Sequence, residues 1–246
     1  KMKCLYAMIL GFLVVLAGFG EDLSVYETLL VPVDVAKFFS GQKDVDAFLA
    51  TNTSALGFYK AGVFYLYHAY GLVNTLGVSQ KDAKKMVQKA IQLFEKVETL
   101  ESKEPMVFSM LGGAYLFSCQ WGTPLDKMRN GRKGVFYMDK AVMMSPTNPR
   151  IREQRLRSYI NLPPQYFPNM LKSVPEDADF LLKDMAERSA LYGQYGKELS
   201  SVCYYGKGLV AYYQKEKEKA KEFLKKVDGA SSMYENAQKL LKEVEK

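Results

Sequence analysis

Apolar positions recur every three or four residues along most of this chain, and no stretch of useful length alternates with a period of two. That spacing puts an apolar stripe on one face of a helix and predicts an all-α protein. Phe58, Ala61, Gly62 and Tyr65 mark a long helix expected to end near Gly77. Ala83, Val87, Ala90, Ile91, Phe94 and Val97 mark its partner, with Lys84, Lys85, Lys89 and Lys96 on the wet side. Ser79 with Asp82 resembles the capping box that opens such a helix. Further helices are predicted from Pro105, over 150–161, over 178–190, around Tyr204, Gly208 and Ala211, around Ala220, Leu224 and Val227, and over 232–245. Residues 21–55 are mixed in pattern and broken at Pro32, which reads as short capping helices; Asn52-Thr53-Ser54 suits a helix N-cap better than a glycan acceptor. The stretch 120–130, with Trp121, Gly122 and Pro124, is expected to be a long projecting joint. Trp121 there either folds back to fill a gap or faces a ligand.

One group of positions says more than its period. Phe108, Leu111, Gly112 and Tyr115, followed by Ala141 and Pro146, place an aromatic, an apolar residue, a glycine and a second aromatic on one helix face. The glycine lets a second helix approach, the alanine marks where that helix packs back, and the proline opens the next unit. This pattern resembles the tetratricopeptide repeat, a helix-turn-helix unit of about 34 residues. Weaker copies lie on both sides. Ala61 stands where leucine is usual, Arg152, Arg155 and Leu156 replace an aromatic, a leucine and a glycine, and Lys207 and Ala211 replace a leucine and the second aromatic. The resemblance implies a right-handed α-α solenoid of helical hairpins over 56–246, with irregular units, an N-terminal cap over 21–55 and a terminal capping helix. The layout is also similar to the helical T-component of tripartite solute transporters.

Bulk composition narrows the partners. Apolar residues make up 48%, too many for disorder. The formal charge of +7 drops to about +5 without Lys1 and Lys3, and acids are mixed evenly among the bases, which excludes a nucleic-acid binder. Residues 1–20 differ from the rest. Lys1 and Lys3 precede an apolar run from Leu5 to Phe19, with Gly18 and Gly20 before Glu21. This reads as a cleaved secretory signal peptide and an extracytoplasmic, periplasmic or secreted protein. A membrane is expected as a partner only if that segment is retained. Cys119 and Cys203 are expected to be separate thiols rather than a disulfide.

Candidate chemistry is sparse. His68 is the lone histidine, so multi-histidine metal sites and histidine-dependent hydrolases are excluded. Glu153 lies among arginines that would lower its pKa, the wrong direction for a general acid. A non-catalytic protein without cofactor or metal is expected. In repeats of the resembled kind, the first helix of each unit lines the concave face. The resemblance therefore implies a lining of Tyr59 and Tyr67, Phe117, Arg150, Glu153 and Arg157, and Tyr205, Tyr212 and Tyr213. Arginine grips carboxylates through two hydrogen bonds and aromatic rings add apolar area. The implied occupant is a protein or peptide, or an anionic small molecule. The bland reading stands beside it: Arg150 and Arg157 can instead pair with Glu153, or with Asp177 and Asp179.

Overall fold

A computed structural model describes residues 39, 41–74, 80–100, 103–193 and 195–245. The expected signal peptide, most of the expected N-terminal cap and the Ser79 end of the capping box lie outside these residues. Among the described residues there are eleven helices and no strand. They fall into two compact units, one up to Thr147 and one from Asn148.

The first unit holds α1 (Gln42–Thr51), α2 (Ala55–Asn74), α3 (Gln80–Leu100), α4 (Pro105–Ser118) and α5 (Pro124–Met144). Each helix packs on the next. Most of the predicted stripe of α3 is buried: Ala83, Val87, Ala90, Phe94 and Val97 are in the core, joined by Leu93, while Ile91 is half-buried. Asn52 accepts from the Ser54 backbone N–H at 3.2 Å in the turn before α2, and Ser54 Oγ accepts from the Gly57 N–H at 3.1 Å. Ser54 is thus the side chain that reaches into the first turn of α2.

The α4–α5 hairpin carries the aromatic-glycine pattern. Phe108 and Tyr115 both stack on Tyr137 of α5, at centroid distances of 6.2 and 5.9 Å. Lys140 Nζ sits over the Phe108 ring, 3.6 Å from its centroid, and Lys133 donates to the Tyr115 hydroxyl at 2.9 Å. Tyr115 in turn donates to Glu95, and Tyr137 donates to Glu98 at 2.9 Å. A ladder of rings and charges therefore ties α3, α4 and α5 together.

The expected long joint is corrected here. It spans only 119–123, because α5 begins at Pro124. Thr123 accepts from the Asp126 N–H, and Asp126 accepts from the Thr123 N–H, which completes a capping box; Pro124 holds the first helical position. Pro124 therefore starts a helix where it was expected to extend a loop.

The second unit contains α6 (Pro149–Tyr159), α7 (Met170–Glu187), α8 (Ser189–Tyr192), α9 (Tyr195–Tyr213), α10 (Lys217–Leu224) and α11 (Tyr234–Val244). Asn148 caps α6 by accepting from the Arg150 and Ile151 N–H groups, with Pro149 following it. α7 begins at Met170, eight positions before the expected Ala178, and runs through Pro175. Pro175 lies early in the helix and removes a single intrahelical bond, which the buried Met170, Val174, Ala178 and Leu181 offset. α9 packs on α7 and α10, and α10 on α11.

α9 ends in a Schellman turn. Glu216 N–H donates to the Ala211 carbonyl at 2.9 Å and Lys215 N–H to that of Tyr212 at 3.0 Å. Lys215 sits at φ 64°, a left-handed conformation that usually selects glycine.

Candidate functional site

The sequence-derived lining residues separate into three groups. The first is interior. Tyr59 is 0% exposed and lies 5.9 Å from Phe94, wedged between α2 and α3. Glu153 and Arg157, one turn apart on α6, are each only 7% exposed. Arg157 donates to Glu153 at 2.8 Å and to the Tyr195 hydroxyl at 2.9 Å, and Tyr195 donates to Glu153. Burial works against the charge of Arg157, but Tyr195 and Glu153 more than offset it and raise its pKa. Burial also lifts the Tyr195 phenol well above its ordinary value. This triad is self-contained, and the expected outward presentation of Glu153 and Arg157 is corrected: the short α6 turns them toward α9, where a tyrosine meets them.

A second buried cluster sits on the same helix. Asp177 of α7 accepts two bonds from Arg155, at 2.7 and 2.8 Å, and one from Arg152 at 2.8 Å. Burial raises the Asp177 carboxyl against the opposing pull of both arginines. Arg152 and Arg155 thus take the partner weighed for Arg150 and Arg157, and Lys207 takes Asp179. Arg150 itself is half-buried at the start of α6.

The second group is the tyrosines of α9. Tyr205 and Tyr212 are half-buried, and Tyr213 is exposed, 5.7 Å from Tyr212.

The third group joins into a run of ring contacts. Tyr67 and Phe117 are both half-buried and are linked through Tyr70. Tyr67 and Tyr70 lie one turn apart on α2, 6.1 Å between centroids. Tyr70 meets Phe117 of α4 at 4.1 Å. Phe117 meets Trp121 of the joint edge-on at 5.3 Å. Four half-buried rings thus form a continuous strip across two helices that begin successive hairpins. Apolar faces and polar tips of this kind suit adaptable, partly wet contacts.

The chain matches no protein-family model, no curated protein and no solved structure with which it was compared.

Elsewhere in the second unit an open cleft of about 370 Å³ is lined by Tyr192, Lys197, Ser200, Lys226 and Asp228 among others. Lys226 is already bonded to Glu222 at 2.7 Å. Among the described residues no group of three or more histidine, cysteine, aspartate or glutamate side chains is placed to hold a metal ion. No described helix is long and apolar enough to cross a membrane. Cys119 and Cys203 are both free thiols. Burial pushes the Cys119 thiol up to about 11 and raises that of Cys203 as well, so neither is activated as a nucleophile.

Tyr70 and Trp121 complete the strip that Tyr67 and Phe117 begin. The one-turn spacing of Tyr67 and Tyr70 was the available signal. The meeting of Tyr70 with Phe117 joins helices far apart in sequence and has no local signature.

Proposed function

We propose that this protein is a non-catalytic, exported helical-repeat scaffold of the tetratricopeptide kind that binds a protein or peptide segment. The carrying observation is the ring strip Tyr67, Tyr70, Phe117 and Trp121, half-buried and continuous at 4.1–6.1 Å. It supports a ligand with apolar side chains at short intervals, which the rings would cover edge-on or face-on. The two arginine clusters support a different role for α6. Their charges are satisfied internally, so they hold α6 against α7 and α9 rather than grip a carboxylate.

A solute-binding accessory of a transporter is the alternative, and it calls for an enclosed pocket around an anion. The open cleft beside Lys197 and Lys226 gives it weaker support.

The test uses the lone tryptophan as its reporter. Peptides selected from a random display library on the full chain are titrated into it while Trp121 emission is followed. Saturable shifts in emission, lost in Phe117→Ala, support the strip as the binding face. Selected peptides that bind without disturbing Trp121, and bind Phe117→Ala equally, move the site elsewhere.

A further inference from the structure

The inward face of α5 is spent on α4: Gly131, Gly134, Met138 and Ala141 are buried in that contact. Its outward face is unusual. Leu125 is 79% exposed, Phe136 61% and Met143 80%. They lie about three and about two turns apart in succession, so all three fall on one line along the helix. Scattered exposed apolar residues are ordinary, but three large ones aligned on a single helix face form a stripe.

Basic side chains accompany the stripe. α5 carries Lys127, Arg129, Arg132, Lys133 and Lys140 against Asp126 and Asp139. Lys133 and Lys140 lean toward Glu95 and Glu98 of α3, at 4.0 and 3.7 Å, so the bases beside the stripe are Arg129 and Arg132. Arg129 and Arg132 are exposed and fall between Leu125 and Phe136. Asp126 is committed to the Thr123 cap and to Arg129 at 3.1 Å, and Asp139 is half-buried. An outward apolar line with guanidinium groups in and beside it is the surface chemistry of a helix that lies along an anionic bilayer.

We propose that the outward face of α5 docks on an anionic lipid surface, with Leu125, Phe136 and Met143 entering the headgroup–acyl boundary and Arg129 and Arg132 meeting the phosphates. The choice over a second copy of the chain rests on size and charge. A stable dimer buries about 800 Å² per partner, far more than three side chains on one helix offer. The exposed Arg129 and Arg132 along the stripe favour an anionic partner instead. The ring strip and the outward face of α5 use different side chains, and a reporter on α5 reads that face alone.

The experiment places the reporter on α5. The full chain carries Phe136→Trp in a Trp121→Phe background and is mixed with phosphatidylglycerol vesicles whose acyl chains are brominated. Emission is expected to shift to the blue and fall by about half as the ring enters the acyl boundary. Brominated phosphatidylcholine vesicles are expected to leave it unchanged. Adding Arg129→Glu and Arg132→Glu is expected to weaken the quenching curve by about tenfold or more. Chain that sediments with the vesicles while emission stays unquenched overturns the proposal, since contact then runs through another segment. Quenching that survives the charge reversals or is equal on phosphatidylcholine also overturns it. A dimer by analytical ultracentrifugation that Met143→Glu dissolves, with no quenching, assigns the face to a second copy and overturns the lipid assignment.

Discussion

Gly112 and Gly134 meet backbone to backbone across the α4–α5 hairpin. A β-carbon on Gly112 would stand 2.9 Å from the Gly134 carbonyl oxygen, and one on Gly134 would stand 3.0 Å from that of Gly112. Neither position has a flexible side chain alone to push aside, because Gly112 would also meet the Met138 backbone nitrogen at 2.9 Å. Gly112→Ala must therefore move a helix. It is expected to destabilise the first unit by about 1–3 kcal/mol, measured by urea denaturation. An unchanged midpoint would mean the helices are not held this close.

The buried triad predicts a coupling. Arg157→Met leaves Glu153 buried with only the Tyr195 hydroxyl and is expected to cost about 3–5 kcal/mol. Arg157→Met with Glu153→Met removes both charges, and most of that loss is expected to return. Single and double variants unfolded by urea give the cycle directly. Losses that simply add would show that the two side chains do not depend on each other.

Lys215 predicts a gain. Its left-handed backbone at φ 64° burdens any residue with a β-carbon. Lys215→Gly is expected to stabilise the second unit by about 0.5–1 kcal/mol, since relief of that strain outweighs glycine's entropy cost. Lys215→Ala keeps the strain and is the control. Equal midpoints for the two would contradict the Schellman assignment.

Alkaline pH offers a separate check on the ring ladder. Burial, then the hydrogen bond to Glu98, push the Tyr137 phenol up to about 12. Unfolded tyrosine ionises near about pH 10. Between those values the folded chain holds a proton that the unfolded chain releases, so this contribution is complete below about pH 10 and is lost as pH rises toward 12. Thermal melts across that window are expected to show stability falling, and falling less steeply in Tyr137→Phe. Identical slopes would place Tyr137 outside the ladder.

These residues also show what local pattern can carry. α4 and α6 are legible because Pro105 and Pro149 hold first positions and apolar spacing follows at once. α5 is harder: Gly122 and Pro124 signal a loop, and only the pairing of Thr123 with Asp126 reverses that reading. Pro175 hides the start of α7 in the same way, since a proline five positions into a helix looks like a break until the buried residues around it are known. In the ring strip, Tyr67 and Phe117 follow from the resemblance alone, whereas Tyr70 enters by contact across helices. The fates of Glu153 and Arg157 depend on Tyr195, on a helix three elements away, and no spacing rule links them.

The proposed binding face rests on the strip, and calorimetry on its two central rings tests it most directly. A peptide selected on the full chain is titrated into wild type, Tyr70→Ala, Phe117→Ala and Phe136→Ala, with each chain's melting curve recorded. Loss of at least about tenfold in affinity for the Tyr70 and Phe117 variants, with Phe136→Ala unchanged, is predicted, as for central aromatic anchors elsewhere. Affinities equal across all four folded chains would contradict a scaffold that binds through these rings.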